Sequence, residues 1–383
     1  RNATESIYFN IYEFTNPFLC DELVSALKRG VSVNIFLEGG PIGNIDDREK
    51  FILNRIANNG GEMRFIVNDP DNNVYDRYRF DHGKYLVIDN YTVIVESCNW
   101  VKTGVPKDPT FGNREWGIVV RNKDVAAYFL QVFLDDWNPN ICDSYSFEDM
   151  DFFIPPDFYL SDTVYTGSYE PQFESKTIFG NFSATPVFSP DTSEQAILDL
   201  INSAETSIYI EQLYIYRDWK DGISPFVERL VNKSSQGVKI KVILNYNPRF
   251  EPTNIKQNLT KQYLEEHGME VKFHYTNWSY FSNMHNKGMI VDNTSVLISS
   301  INWNENSVTR NREAGIIIEN EEIALYYAEV FFYDWNLGPP TEKELVSSFE
   351  DFLAEYKNPS FIVLIYGMTF ALVGRDWRKR KWR

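Results

Sequence analysis

The stretch HNKGMIVDN, residues 285–293, sets a histidine and a lysine two apart and then closes an apolar run with Asp-Asn. A near copy, HGKYLVIDN, occupies residues 82–90, in a chain with only four histidines. The two lie 203 residues apart, and matching phrases surround both. ATESIYFNIYEF (3–14) answers AETSIYIEQLYIY (204–216), and LKRGVSVNIFLEGGP (27–41) answers SSQGVKIKVILNYNP (234–248). Further on, ESCNW (96–100) pairs with SSINW (299–303), GNREWGIVV (112–120) with RNREAGIII (310–318), and VFLDDWN (132–138) with VFFYDWN (330–336). Self-similarity of this kind marks a duplicated structural unit. The offset falls to 198 at the last tryptophans, so the first copy holds five extra residues within VKTGVPKDPTFG (101–112), a Gly- and Pro-bearing loop.

Each copy alternates β-rich runs such as VSVNIFL and VKIKVIL with helical stretches such as FVERLVNKSS, the pattern of an α/β fold. The spacing predicts two homologous α/β halves, residues 1–142 and 185–345, joined by an acidic, aromatic, Pro-broken connector over 143–184. SPDTSEQAILDLINSA (189–204) predicts a Ser- or Thr-capped helix leading into the second copy. The first copy begins at its first strand without such a helix and is expected to be incomplete at its N-terminus.

The composition is that of a folded protein, with 43% hydrophobic and 24% charged residues among 383, which excludes disorder. Net charge is −17; without the tail RDWRKRKWR (375–383) it is −22, from 31 basic and 53 acidic residues. So acidic a body disfavours long polyanions, which are held mainly by Lys and Arg. Cys20, Cys98 and Cys142 form no C-x-x-C pair, which argues against a disulfide framework or a structural zinc site. NPSFIVLIYGMTFALVG (358–374) carries no charge and runs into the basic tail. At 17 residues it reads as a short single-pass membrane helix, with 346–357 as the juxtamembrane segment and 358–383 as anchor plus tail. The flanking basic residues place the catalytic body outside the cytoplasm, a reading to which seven N-x-S/T acceptors conform. The alternative is a terminal core helix with a solvated end.

If HGKYLVID is a strand, His82 and Lys84 point to one face, because side chains alternate with a period of two. A hairpin loop centred between Asn90 and Tyr91 places Asn99 opposite His82 and Ser97 opposite Lys84. The same centring in the second copy places Asn302 opposite His285 and Ser300 opposite Lys287. Asp89 and Asp292 fall at the turns and are read as structural carboxylates. Two such faces meeting about a pseudo-dyad supply two imidazoles, two ammonium groups and neutral donors. That set suits phosphoryl transfer: Lys, Asn and Ser donors neutralise the phosphoryl oxygens, one imidazole attacks phosphorus, and the other moves the proton. Histidine suits both tasks because its pKa lies near operating pH. This chemistry calls for no metal and no other cofactor.

The double H-x-K-x4-D, each copy followed by S-x-N and N-R-E, resembles the phospholipase D superfamily across residues 3–338. The resemblance implies a phosphohistidine intermediate at the interface of two α/β halves, formed within a monomer, with His82 favoured as nucleophile. It also implies that Glu115 and Glu313 orient the opposing histidines. Where that family usually has Gly-Ser-x-Asn, this chain has Glu96 and Ser299 in the glycine places. The expected function is a metal-independent phosphodiesterase acting on phospholipid head groups, by hydrolysis or by transfer as in cardiolipin synthase relatives. The rival reading is a nuclease for single strands, for which DRYRF (76–80) offers Arg77, Tyr78 and Arg79 as basic and stacking groups. A third class is a surface module that binds phosphate without turnover. His267 and His274 have no companion motif and are read as ordinary structural residues, as are the packing tryptophans Trp137 and Trp335.

Overall fold

The structure, a computed structural model, describes residues 1–275 and 281–337. The first half runs β1 (Ser6–Ile11), α1 (Pro17–Lys28), β2 (Ser32–Glu38), α2 (Asp47–Ala57), β3 (Glu62–Ile66), β4 (Lys84–Ile88), β5 (Thr92–Glu96), β6 (Gly117–Arg121), α3 (Lys123–Trp137) and β7 (Ser144–Ser146). The second runs β8 (Ser183–Ser189), α4 (Ser193–Ser203), β9 (Ser207–Gln212), the small hairpin β10 (Asp218–Trp219) and β11 (Gly222–Ile223), and α5 (Pro225–Ser235). It continues with β12 (Lys239–Tyr246), α6 (Glu251–Glu266), β13 (Glu270–Tyr275), β14 (Lys287–Val291), β15 (Ser295–Ser299), α7 (Glu305–Thr309), β16 (Glu313–Glu319) and α8 (Glu321–Asn336).

Each half builds a seven-stranded sheet, in the orders β6-β5-β4-β1-β2-β3-β7 and β13-β12-β9-β14-β15-β16-β8. The six-strand core is the same in both, read in opposite directions. Parallel β1–β2–β3 (and β9–β12–β13) meets an antiparallel meander β4–β5–β6 (and β14–β15–β16). The copies differ at one edge: β7 pairs with β3, whereas β8 pairs with β16. Central strands such as β2, with Val33, Ile35, Phe36 and Leu37 all buried, are apolar on both faces, as helix-covered strands must be. Asn residues open the corresponding helices α3 and α8: Asn122 Oδ1 accepts from the Asp124 and Val125 amides, and Asn320 Oδ1 from the Ile323 amide. Thr192 precedes α4 without capping it; its hydroxyl accepts from the Phe188 amide instead.

Three apolar clusters fill the layers. One packs β1 and β2 against α1 and α2, and a second does the same in the other half. The third is shared: Tyr85, Val93, Val95 and Trp116 from the first half meet Phe188, Ile298 and Ile316 from the second, together with faces of α3 and α8. Trp116 packs against Tyr327 across this junction, ring centroids 4.9 Å apart and planes tilted by 53°. Gly288 makes room for it, since a Cβ there would lie 2.3 Å from the Trp116 ring.

The hairpin register differs from the sequence expectation by one. Tyr85 pairs with Val95 and Ile88 with Thr92; Gly288 pairs with Ile298 and Val291 with Ser295. The loops have three residues and are centred on Asn90 and Asn293, not between two residues. Asp89, Asn90, Asp292 and Asn293 all adopt positive φ, between 50° and 56°, which sets the tight turn. A slip of one residue changes which side chains share a face. It carries Glu96 and Ser299, not Ser97 and Ser300, to the places opposite Lys84 and Lys287.

Of the expected 143–184 connector, β7 joins the first sheet and β8 begins at Ser183; the stretch between them lies mostly exposed over the surface. It is pinned where Lys102 donates to the Ser161 carbonyl at 2.9 Å and Tyr326 donates to the Glu174 carbonyl at 3.0 Å. The expected membrane helix, juxtamembrane segment and basic tail lie outside the described residues. Among the described residues no helix is long and apolar enough to cross a membrane.

Candidate active site

His82 stands just before β4 and His285 just before β14, where each chain segment crosses to the opposite half. The backbone of 79–82 pairs with 310–312: the His82 amide donates to the Arg312 carbonyl at 2.7 Å, and the Arg312 amide to the Phe80 carbonyl at 2.9 Å. The mirror segment does the same, with the His285 amide donating to the Arg114 carbonyl at 2.9 Å and the Arg114 amide to the Asn283 carbonyl at 2.9 Å. These crossed pairings bring each N-R-E phrase beside the other half's histidine. His82 Nδ1 lies 2.7 Å from Glu313 Oε2, and His285 Nδ1 lies 2.7 Å from Glu115 Oε1. A carboxylate can only accept, so His82 Nδ1, hydrogen-bonded to Glu313, carries the proton and its Nε2 presents a lone pair. His285 Nδ1 stands as close to Glu115 but off the hydrogen-bond line, and its tautomer follows instead from the Lys287 ammonium 3.0 Å from Nε2.

Ser97 and Ser300 do not face substrate as donors, a correction to the sequence expectation. The Ser97 hydroxyl donates to Glu115 Oε2 at 2.5 Å and accepts from the Trp116 amide. The Ser300 hydroxyl donates to Glu313 Oε2 at 2.6 Å and accepts from the Ala314 amide. Placed one residue past the strand ends, both fix the carboxylate that fixes the imidazole. Asn113 and Asn311, the first letters of the N-R-E phrases, donate to Glu115 Oε1 and Glu313 Oε1 at 3.1 Å each. Sequence reading passed over this pair, although their duplication was the available signal. Asn99 Nδ2 lies 3.3 Å from Glu13 Oε2, while Asn302 is buried with its Oδ1 unpartnered.

Lys84 and Lys287 are fully buried. Burial pushes Lys84 down to about 8 and Lys287 down to about 7, against the pull of Glu313 and Glu115. Lys84 donates to the His82 carbonyl at 2.8 Å. Lys287 donates to the His285 carbonyl at 2.6 Å and to His285 Nε2 at 3.0 Å. Burial also lowers His82 to about 4, despite Glu313, and lowers His285, despite Glu115. Glu115 is held below the usual carboxylate range: burial pushes it up, but His285 and Lys287 outweigh that. Tyr12, another residue passed over in the sequence, packs edge-on to His82 at 4.7 Å and takes the Lys84 ammonium over its ring at 5.5 Å.

Asp89 and Asp292 lie at the hairpin tips. Asp89 accepts from the amides of Thr4, Glu5 and Ser6 at 2.8–3.2 Å, and Asp292 from those of Glu205, Thr206 and Ser207 at 2.7–2.8 Å. Each ties a tip to the start of β1 or β9. Glu96 accepts from Trp100 Nε1 at 2.6 Å, and burial raises it to about 7. In DRYRF, Arg77 is ion-paired with Asp143 and Tyr78 is buried, donating to Asp136 Oδ1 at 3.0 Å. Those two are committed inward and form no stacking platform. His274 is buried and stacks at 4.5 Å on Phe281.

Residues 1–137 and 197–335 match the family described as cardiolipin synthase, PLD-like domain; the chain belongs to the phospholipase D superfamily. A cardiolipin synthase of Staphylococcus aureus is 26% identical over 346 residues, covering 87% of this chain and 63% of that protein. A phospholipase D of Rickettsia typhi is 28% identical over 176 residues, covering 46% of this chain and 76% of that one. The chain thus spans less than two thirds of the length of the S. aureus cardiolipin synthase that it matches. Among solved structures, phosphatidylserine synthase of Haemophilus influenzae shares the fold over 98% of this chain and 90% of its own, with a TM-score of 0.61 at 13% identity.

Proposed function

We propose that the chain is a phosphodiester-cleaving enzyme of phospholipid head groups, working through a phosphohistidine on His82, with the whole site in one chain. The observation that carries this is the crossed pair of imidazole–carboxylate contacts, His82 to Glu313 and His285 to Glu115. It leaves two neutral Nε2 atoms beside two buried ammonium groups. The relatives named cardiolipin synthase and phospholipase D support a phospholipid as substrate.

The two histidines are not equivalent. His285 Nε2 already accepts from the Lys287 ammonium, so a proton is at hand there. No side chain among the described residues donates to His82 Nε2, which leaves its lone pair to attack. In the first step His82 Nε2 forms the N–P bond, the P–O bond to the head group breaks, and His285, protonated at Nε2 through Lys287, gives its proton to the leaving oxygen. In the second, neutral His285 takes a proton from water or an alcohol, whose oxygen attacks phosphorus and releases His82. Lys84 offsets the charge on the non-bridging oxygens, and burial strengthens that effect. The proton that His285 takes up in the second step returns to Lys287 and closes the cycle. Water gives hydrolysis; an alcohol such as glycerol gives transfer.

The test is to incubate the full chain, with chelator present, against phosphatidylcholine vesicles with and without glycerol, and against labelled single-stranded DNA. Choline release, with a phosphatidyl alcohol appearing when glycerol is added, is the expected result. Shortened DNA with intact lipid would overturn the substrate class, and turnover of neither would overturn the enzyme.

A further inference from the structure

The repeated Asp-Trp phrase at the ends of α3 and α8 has no part in the chemistry above. Its aspartates, however, reach across the junction. Asp136, in the last turn of α3, is buried against Arg312 of the other half: Nε lies 2.8 Å from Oδ2, and Nη2 donates to Oδ1 at 2.9 Å. Asp334, in the last turn of α8, holds Arg114 in the same way, with Nε 2.8 Å from Oδ2 and Nη2 donating to Oδ1 at 2.9 Å. In each pair the Nη2 hydrogen bond sets the direction of the guanidinium, and Nε stands close to the second oxygen as an ion pair without hydrogen-bond alignment.

The backbones of these arginines are already spoken for. Arg312 accepts from the His82 amide and Arg114 from the His285 amide, and the next residues are Glu313 and Glu115, which face the same imidazoles. Each arginine is therefore gripped through its side chain by the helix end of the half that carries the histidine. Through its backbone it is gripped by the histidine's own segment. The carboxylate one residue on has little freedom to stand anywhere but beside Nδ1.

We propose that Asp136–Arg312 and Asp334–Arg114 are positioning pairs, the first serving His82 and the second serving His285, and that each tunes only its own histidine's task, attack on phosphorus for the first and proton transfer for the second. This rests on the reading of His82 as attacking group and His285 as proton donor. A purely structural role would give no such division: breaking either pair would weaken the molecule and slow every substrate by the same factor.

Leaving-group chemistry separates the two. A nitrophenolate departs without a proton, whereas choline needs one. The full-length protein and its variants would be assayed for first-turnover (burst) release of nitrophenol from phosphatidyl-p-nitrophenol and of choline from phosphatidylcholine in the same mixed micelles. The burst is read because the second step also uses His285 and is common to both substrates; His82→Ala and His285→Ala are the benchmarks. Asp334→Asn is expected to slow choline release at least about 10-fold more than nitrophenol release, following His285→Ala. Displacements of about 1 Å cost on the order of 100-fold, so the effect is readable. Asp136→Asn is expected to slow both equally, following His82→Ala. Arg114→Lys keeps the charge, loses the Nη2 hydrogen bond to Asp334, and should repeat the Asp334→Asn pattern should that variant fail to fold. Equal losses on both substrates for Asp334→Asn and Arg114→Lys, while His285→Ala still discriminates, would overturn the proposal, as would unchanged rates. If His285→Ala itself does not discriminate, the proton-donor reading falls first, a result distinct from either.

Discussion

His82 Nδ1 and Glu313 Oε2 lie 2.7 Å apart although 231 residues separate them in the chain. Such a contact joins the two halves into one candidate site. Glu313→Gln keeps the shape but removes the obligate acceptor, so the imidazole is free to take the wrong tautomer. An aspartate-to-asparagine change beside a catalytic histidine costs about 10⁴ in kcat in a known triad. We expect a loss of about 10²–10⁴ in kcat for Glu313→Gln and for Glu115→Gln, with unfolding midpoints near wild type. Wild-type kcat in either would remove the orienting role.

Activity should be bell-shaped in pH. His82 must be neutral to attack, so kcat/KM rises as pH passes upward through about 4. The ammonium groups must be charged, so it falls as Lys287 deprotonates near about 7 and Lys84 near about 8. Lys287→Arg stays charged but cannot pass a proton to His285, so on the proposed mechanism it should lose most of kcat/KM on phosphatidylcholine and no longer show the limb at about 7. An unmoved limb in that variant would show that Lys287 does not set it.

The hairpin-tip carboxylates should matter for stability and not for turnover. Burial raises the Asp89 and Asp292 pKa values, but the amides aimed at them more than offset this and leave both depressed. The stabilisation is then present above the ordinary value of 3.8 and is lost as pH falls through the folded-state value. Asp292→Ala should cost about 1–3 kcal/mol at pH 7 and leave kcat within about 3-fold, a change too small for a group in the chemistry. Urea unfolding at pH 7 and pH 3 measures it; an equal cost at both would contradict the linkage.

Gly288→Ala drives a methyl into the Trp116 ring, whose packing across the junction leaves it no room to move. Overpacking of this kind costs about 1–3 kcal/mol. Combined with Trp116→Ala, which itself costs about 3–5 kcal/mol, the glycine change should add little. Additive losses in a double-mutant cycle would mean that the two residues do not share a contact.

Much of this site could be read from the sequence because the duplication did the comparing. His82, Lys84, His285, Lys287 and both glutamates recur in register, and the fold repeats with them. What failed was geometry decided by single residues. A three-residue loop with Asp89 and Asn90 at positive φ moved the hairpin by one place, and the serines passed from substrate to the glutamates. Asn113 and Arg114 sat in view inside a quoted phrase. Their partners are Glu115 two places on and Asp334 in the other half, and periodicity carries no information about contacts across a junction.

The strand ends where Lys84 faces Glu96 in one half, and Lys287 faces Ser299 in the other, bear on how such a molecule changes over generations. Two separate copies of one polypeptide, meeting about a true dyad, must accept every substitution twice. Joined head to tail, they are released from that rule: one position can gain an acid while its twin keeps an alcohol. The connector that drapes the surface is therefore what would let the two imidazoles take up the different trades proposed for them.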